Sequence, residues 1–572
     1  MNLPADSPNT LEQSALRYLA WLGLAMMLVF GVISLISQPF EYSATTRKPI
    51  LEFVGLLIFA TVLSIFAVRI GMRVKERRRA MLWFIFSMAI GFRAVMCFTP
   101  PVLEIDFYRY LWDGKVSVAG VSPYSYSPQQ ILDAGRSVAT ARDKSDLQDL
   151  DRLVSLSLAS AANHEILNRV HFPNHTTIYP PVSQVAFQLV AKAIPDEASL
   201  ATQLLALRIM LLAFDFGTIL VLLLILNAIK RNAAWLIAYA WNPLVIKEIS
   251  NSIHLDSIAI FFMMLAIWFT IRARGLQKGK VSAALGGFSL GMAVGAKLFP
   301  IVVAPAITVA LLKGGLSKVL AFSLTFLVIT AAVLFPMFSN DDSSSNLDRS
   351  PELVQQENEP DTQDADMIVA KAVNKDGLTG FLSSWRMNDA IFSTVYHNLK
   401  PTGNQNNEYW YVVVPNQIRR QLADLVPESK NPAFLLTRLV TLAAFAIIYL
   451  CMLRRFYSGS DQQILTGLLY VLFAFLLLQP TFNPWYWVWV IPLTCFSNRW
   501  GWIGVSGILS IYYTRFFFLK SDLVFAFGHR SYQGVQIFEH FVVWGEVLLI
   551  LLVLWFSGRV NFAKPDQQHS AT

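Results

Sequence analysis

The sequence predicts an all-α polytopic membrane protein of about fourteen transmembrane helices with two large outward-facing loops. Three observations carry that prediction. Hydrophobic residues make up 55% of the 572 and charged residues only 15%, with a mean hydropathy of +0.47, well outside the range of soluble domains. Apolar runs of roughly 20 residues, enough to cross a bilayer at 1.5 Å rise per residue, recur along the chain. The Lys and Arg residues behind the net charge of +8 gather in short clusters between those runs, the positive-inside pattern rather than the footprint of a nucleic-acid binder.

Taken in order, residues 1–99 supply N-terminal transmembrane helices at about 18–36, 50–69 and 80–99. The first follows a mildly acidic leader without a small-residue cleavage site, so it reads as a retained anchor. Residues 100–181 form a first outer loop. The segment Val182 to Pro195 then decides the topology, because it is short and carries Ser183, Gln184, Gln188 and Lys192. If it does not span, the clusters Arg69 to Arg79, Lys230/Arg231, Arg272 to Lys280, Lys313/Lys318, Arg454/Arg455 and Arg559/Lys564 share one side. It is therefore expected to be half-inserted or interfacial, with both termini cytoplasmic.

Residues 182–338 continue as a transmembrane core, with runs at about 203–228, 233–249, 253–272, 281–298, 299–312 and 317–337. A second outer loop, 339–432, contains an acidic, polar insertion over 340–366 that is expected to be disordered. C-terminal transmembrane helices occupy 433–558, at about 433–453, 462–479, 484–498, 501–517 and 536–556, and 559–572 is a cytoplasmic tail. No internal repeat is visible by eye. Cys97, Cys451 and Cys495 follow no metal-ligand spacing, and the topology keeps Cys97 from bridging to either of the others.

Where the chain leaves the third run it reads "EIDFYRYLWDG". Wound at 100° per residue, Asp106, Arg109 and Asp113 share one face of a helix, and Phe107, Tyr108, Leu111 and Trp112 share the other. This predicts an interfacial helix with its rings at headgroup depth and its charged face turned to the outer loops. Alone, Arg109 could simply pair with the two acids along the helix for a few tenths of a kcal/mol. Polar clusters recur at the same depth, however: "HFPNHTTIYPP", "WNPLVIKEISNSIHLD", "GAKLFP", "LSSWRMND" and "PTFNPWYW". Ionisable groups are costly in a membrane and mark function by default. They converge as Asp106, Arg109, His171, His175, Lys247, Glu248, His254, Asp256, Lys297 and Arg386. Arg93, Arg208 and Asp215 lie inside spans, where Asp215 is expected to pair structurally with Arg208 or with another span's cation. Asn174-His175-Thr176 matches a glycosylation sequon, for which chance suffices.

These motifs, with "EIDFYRYLWDGKVSVAGVSPYSYSP" the most specific, resemble the polytopic GT-C glycosyltransferases. The nearest likeness is to the bacterial mannosyltransferase-like group that uses polyprenyl-phosphate sugars, the glycosyltransferase family 87 type; it runs from about residue 80 to about 500. The resemblance implies a GT-C bundle and a catalytic carboxylate in the first outer loop, a role that falls on Asp106. Glu104, two positions earlier and on the opposite side of the expected helix, is a secondary candidate together with Asp113 and Tyr486. The acidic insertion after Asn340 departs from the family pattern.

Such chemistry needs a carboxylate to take a proton from the attacking sugar hydroxyl. It also needs fixed cations to stabilise the departing lipid phosphate. Arg109, Lys297, Arg386 and His254 are expected there, with Asp256, His171 and Tyr179 completing the substrate-binding set. Tyr179, Trp385, Trp485 and Tyr486 are expected to anchor helix ends or stack on sugar faces. The expected partners are a polyprenyl-phosphate sugar donor, a glycolipid, polysaccharide or protein acceptor, and the lipid bilayer. No cofactor is assigned, and a divalent metal is possible but unforced. Mannose rests on the resemblance alone. The rivals are a lipid-linked glycan polymerase or ligase, a transporter or flippase, whose sites sit nearer the midplane, and a membrane scaffold. The expected setting is the plasma (inner) membrane, with the active site facing outward.

Overall fold

In the computed structural model the described residues are 8–136, 144–339, 385–402 and 409–559, apart from single positions 43, 45, 428, 430 and 529. The acidic insertion over 340–366, the start of the "LSSWRMND" motif and the tail beyond Arg559 lie outside them. Among the described residues, nine helices are long and apolar enough to cross a membrane: Thr10–Ile36, Ile50–Gly71, Arg78–Cys97, Leu200–Ala228, Asp256–Gly275, Leu316–Phe338, Pro432–Ser458, Asp461–Leu478 and Val535–Arg559.

The other five of the fourteen expected runs form shorter or interrupted helices. Lys280–Ala296 and Phe299–Leu312 are short apolar helices. The run after Ala233 breaks at Asn242-Pro243 and continues as a π-helix, Ile246–Asn251. The runs after Pro484 and Gly501 break into pieces such as Pro484–Trp487, Ile491–Thr494 and Gly501–Leu509. At Pro243 and Pro492 proline removes a backbone donor and clashes with the preceding turn, whereas the run after Gly501 has no proline and tightens into a 3-10 turn over Ser510–Thr514. The run after Ala233 is enclosed by protein. Every residue from Ala233 to Ile260 is buried, whereas only 17% of the best window in Leu316–Phe338 and in Pro432–Ser458 is. The broken pieces are tied together by Ser506, whose hydroxyl accepts from Asn242 Nδ2 at 3.0 Å and Trp487 Nε1 at 3.1 Å.

The basic loops meet at one end of the bundle. Asn232 Nδ2 donates to the Met72 carbonyl at 3.4 Å, Arg231 to the carbonyls of Cys495 (2.9 Å) and Ser497 (2.6 Å), Lys318 to that of Ala273 (2.7 Å), and Arg274 pairs with Asp461 at 2.9 Å. All three cysteines are free.

At the other end, the first-loop helix is Phe107–Val118. It is not an interfacial helix with its rings in lipid, because Phe107 through Val116 are all buried in protein. The cover is the helix Pro181–Ala193, whose 13 residues are too few to span. Tyr110 stacks on its Phe187 with ring centroids 4.7 Å apart, and Gln188 Nε2 reaches the Ser117 carbonyl at 3.0 Å. The crossing is close enough to require glycine: a Cβ on Gly114 would stand 2.5 Å from the Phe187 carbonyl oxygen. An antiparallel hairpin, β1 (Val524–Phe527) and β2 (Arg530–Gln533), precedes the last long helix.

Within the spans, Asp215 pairs with Arg93 of the third long helix and accepts a hydrogen bond from Tyr239 at 2.7 Å. Of the two pairings left open by the sequence, the structure has the one between spans. Arg208 instead donates to the carbonyls of Cys97, Thr99 and Asn251, the latter two at 3.0 Å. Arg93→Met alone strands a buried carboxylate and is expected to destabilise the folded state by about 3–5 kcal/mol. Arg93→Met with Asp215→Leu should recover most of that loss, read as thermal unfolding of purified protein in detergent.

Candidate functional site

A cavity of about 3580 Å³ opens at the end opposite the basic loops. It is several times larger than the roughly 300–1,000 Å³ of an ordinary ligand pocket. Glu104, Asp106, His171, Tyr179, Lys297 and Arg386, expected from separate stretches of sequence, all line it.

Asp106 sits at the N-cap of the first-loop helix, with its side chain about one-third exposed. Its Oδ2 accepts from the Tyr179 hydroxyl at 3.2 Å, and its Oδ1 lies 3.9 Å from His171 Nδ1. Burial and the Asp106 charge push the Tyr179 phenol well above its ordinary value, which keeps it a neutral donor. Arg109 is nine-tenths buried beneath, donating from Nη2 to the carbonyls of His171 (3.1 Å) and Phe172 (2.9 Å). These bonds tie it to the His171 turn, while Arg109, expected as a phosphate contact, also lines the cavity.

Glu104 corrects a second expectation. It is not on the far side of the helix, because the chain ahead of Phe107 is not helical. Its Oε1 accepts from the backbone N–H of Ile105 and of Asp106, each at 2.9 Å, and its Oε2 lies 3.0 Å from His254 Nε2. His254 Nδ1 lies 2.9 Å from Glu248, which is paired at 3.2 Å with Lys247 and accepts from the Tyr513 hydroxyl. Glu104, His254, Glu248 and Lys247 thus form a row of alternating charge that sums to zero, buried except at the Glu104 end. Such a row repays the desolvation of its members only if all are present. Burial alone would discharge His254, but the charges and hydrogen-bonding contacts of Glu104 and Glu248 outweigh it and hold the ring up at about 10. Burial likewise pushes Glu104 up, and the adjacent His254 outweighs it, holding the carboxyl below its ordinary value.

The row grows from the π-helix Ile246–Asn251, an irregularity often found at functional sites. Asn251 from the same turn accepts from the Val102 N–H at 2.8 Å and donates to the Pro100 carbonyl at 2.8 Å, clamping the chain that leads into Glu104. The local backbone is strained. Among the described residues five non-glycine residues have positive φ, and four of them, Leu103 (55°), Phe172 (54°), Ile253 (64°) and Asn388 (57°), adjoin Glu104, His171, His254 and Asp389. At a β-branched residue such as Ile253 this conformation costs on the order of 1–3 kcal/mol and persists only where surrounding contacts impose it.

Glu104, Asp106 and His254 bring one ligand atom each within 4.8 Å of one another, close enough for a metal ion. Binding one through His254 requires a ring nitrogen without a proton. Both nitrogens face carboxylates, and Glu104 already caps two backbone donors, so the set fits an imidazolium held between glutamates better than a metal centre. His254, expected as a phosphate contact, lines the cavity with a carboxylate facing each ring nitrogen.

Lys297 projects from the end of Lys280–Ala296, with Nζ 2.6 Å from Asp256 Oδ1 and 5.4 Å from the ring centroids of both Tyr486 and Trp489. Asp256 does not itself line the cavity; it is the counter-ion that holds the ammonium. Arg386 is held by Asp389 at 3.0 Å and lies over the Tyr396 ring at 4.1 Å. Trp385, Trp485, Tyr486 and His175 also line the wall. Asp113 does not: it is buried under the helix, where Gln184 Nε2 donates to it at 3.0 Å, and burial pushes its carboxyl up. Tyr409, Tyr411, His397 and His540 form a second polar group at the cavity, and the sequence reading missed them. Their one available signal was the return of aromatic composition after the acidic insertion.

Residues 421–526 match the family model of the MptB C-terminal domain. MptB is a mannosyltransferase of the GT-C group, so the match supports a membrane-embedded, GT-C-like glycosyltransferase at that coarse level; it does not confirm family 87. The matched stretch takes in Trp485, Tyr486 and Tyr513 but not Asp106. No curated protein and no solved structure matches the chain.

The row has a pH signature. His254 is raised from an ordinary 6.5, so its stabilisation is full below that value and is lost as pH rises through about 10. Glu104 is lowered from 4.5, so its contribution is full above that value and is lost as pH falls. Thermal stability is therefore expected to hold between about pH 5 and about pH 9, with an alkaline fall that is absent from a Glu104→Gln/His254→Gln variant. Identical alkaline profiles for the two proteins would contradict the pairing.

Proposed function

We propose that this protein transfers a hexosyl residue, mannose by preference, from a polyprenyl-phosphate sugar to a lipid-borne, polysaccharide or protein acceptor. Asp106 is the general base and the anomeric centre inverts. The observation that carries this reading is the pairing pattern of the acids. Among the acids expected from the sequence motifs, Glu104, Asp256 and Asp389 are ion-paired at 3.0, 2.6 and 3.0 Å. Asp106 accepts only a phenol, with His171 at 3.9 Å, and its oxygens reach the cavity.

An attacking hydroxyl beside Asp106 passes its proton to that carboxylate as the new C–O bond forms and the bond to the lipid phosphate breaks. Lys297, oriented by Asp256, is the cation suited to the phosphate charge that grows on departure. Ile301, Val302, Leu435, Phe475 and Leu476 line an apolar wall of the same cavity, which suits a prenyl tail entering from lipid. With the basic loops cytoplasmic, the cavity faces outward.

Asp106→Asn is expected to cut transfer from polyprenyl-phosphate-[¹⁴C]mannose in membranes by roughly 10²–10⁴-fold while leaving donor binding intact. Direct attack on a β-linked donor should give an α-linked product; retention at the anomeric carbon would rule out a single displacement. Divalent-metal chelation is expected to leave the rate unchanged, as the committed nitrogens of His254 imply.

A further inference from the structure

The second polar group lies across a short aromatic bridge from Asp106. The rings of His171 and Phe172 are 3.7 Å apart, and Phe172 meets Trp385 at 4.5 Å, beside Arg386. Beyond it, the Tyr409 ring lies between two imidazoles, its centroid 4.3 Å from that of His397 and 4.0 Å from that of His540. The Tyr411 hydroxyl lies 2.9 Å from His397 Nδ1 and 3.3 Å from His540 Nδ1. Tyr409, His397 and His540 line the cavity, and among the described residues neither Nε2 has a protein partner.

Counting protons fixes what these rings offer. A phenol has one proton to give, so it can satisfy only one of the two Nδ1 atoms. Along the shorter contact Tyr411 donates to His397 Nδ1, which places the His397 proton on Nε2. With the Ser393 hydroxyl, 3.4 Å from both the Tyr411 hydroxyl and His397 Nδ1, taken as a bystander, His540 donates from Nδ1 to the Tyr411 oxygen, which leaves its Nε2 a bare acceptor. One Nε2 is a donor and the other an acceptor, and the rings carry no charge. Consistently, burial followed by the charge of Arg386 holds His397 down to about 2. The charge of Arg386 itself is taken by Asp389.

From this geometry we infer that His397, His540 and Tyr409 form a subsite for an uncharged sugar ring of the acceptor. A hydroxyl both donates and accepts, so adjacent hydroxyls match a donor and an acceptor nitrogen side by side, and an anion does not. The aromatic faces of Tyr409 and Trp385 suit the apolar face of a pyranose. The cavity volume leaves room for such a unit beside a donor sugar and its phosphate. The assignment to the acceptor rests on the transferase reading, while the binding of a neutral saccharide does not.

The test uses the full-length protein in lipid nanodiscs without donor, probed with methyl α-mannobioside by saturation-transfer NMR, and with inorganic phosphate as the charged competitor. Wild type should bind the saccharide and be indifferent to phosphate. His397→Phe, which keeps the ring and removes its nitrogens, and Tyr411→Phe, which releases the tautomer lock, should each weaken binding about tenfold. In the transfer assay both should raise the acceptor KM more than they lower kcat. Equal binding by wild type and by both variants with unchanged melting, or displacement by phosphate, would overturn the subsite. Saccharide binding by a wild-type protein that never transfers label would instead overturn the transferase reading and leave the subsite standing.

Discussion

Everything at the cavity depends on one constraint: Lys247, Glu248 and His254 are buried in a row that ends on half-buried Glu104, and the four can remain so only together. The end of the row matters most. Glu104 spends one oxygen on His254 and the other on the N–H groups of Ile105 and Asp106. The backbone of Asp106 is thereby held by an acid engaged on both of its oxygens. On the proposed reading the two nearby acids have different work, Glu104 to position and Asp106 to react.

The bundle is organised to supply that row. Its central runs are broken at Pro243 and Pro492. A π-turn, left-handed Ile253 and the clamp of Asn251 on residues 100–102 then bring Glu248 and His254 under the first loop. Strain at Leu103, Phe172, Ile253 and Asn388 is local, and surrounding contacts maintain it. Long, lipid-exposed helices such as Leu316–Phe338 surround this region and need only be apolar.

The all-helical membrane class was legible from hydropathy, and the meeting of the basic loops from charge. The convergence of Asp106, Tyr179, Lys297 and Arg386 was legible because polar residues at the ends of apolar runs have few other reasons to be there. The number of full spans was not: a run enclosed by protein, such as 233–249, is as apolar as one facing lipid, and periodicity cannot separate them. The partners of Arg109 were also hidden, since the wheel pairs it with Asp106 and Asp113 whereas the fold gives it two backbone carbonyls. Glu104 was misplaced because helical phase was extended into a non-helical approach. His397, Tyr409 and His540 are neutral aromatic groups, separated by more than a hundred residues between His397 and His540, and pattern alone did not mark them.

The most direct test is to ask where the donor lies. A prenyl-phosphate mannose analogue with a photoreactive group near the phosphate would be irradiated in membranes containing the wild-type protein, and the labelled peptides sequenced. Label on the segments around Lys297 to Val302 and Asn483 to Trp489 is the result that follows from a sugar-transfer cavity organised about Asp106 and Lys297. Label confined to the basic loops at the other end, or competed by unrelated lipids, would contradict it.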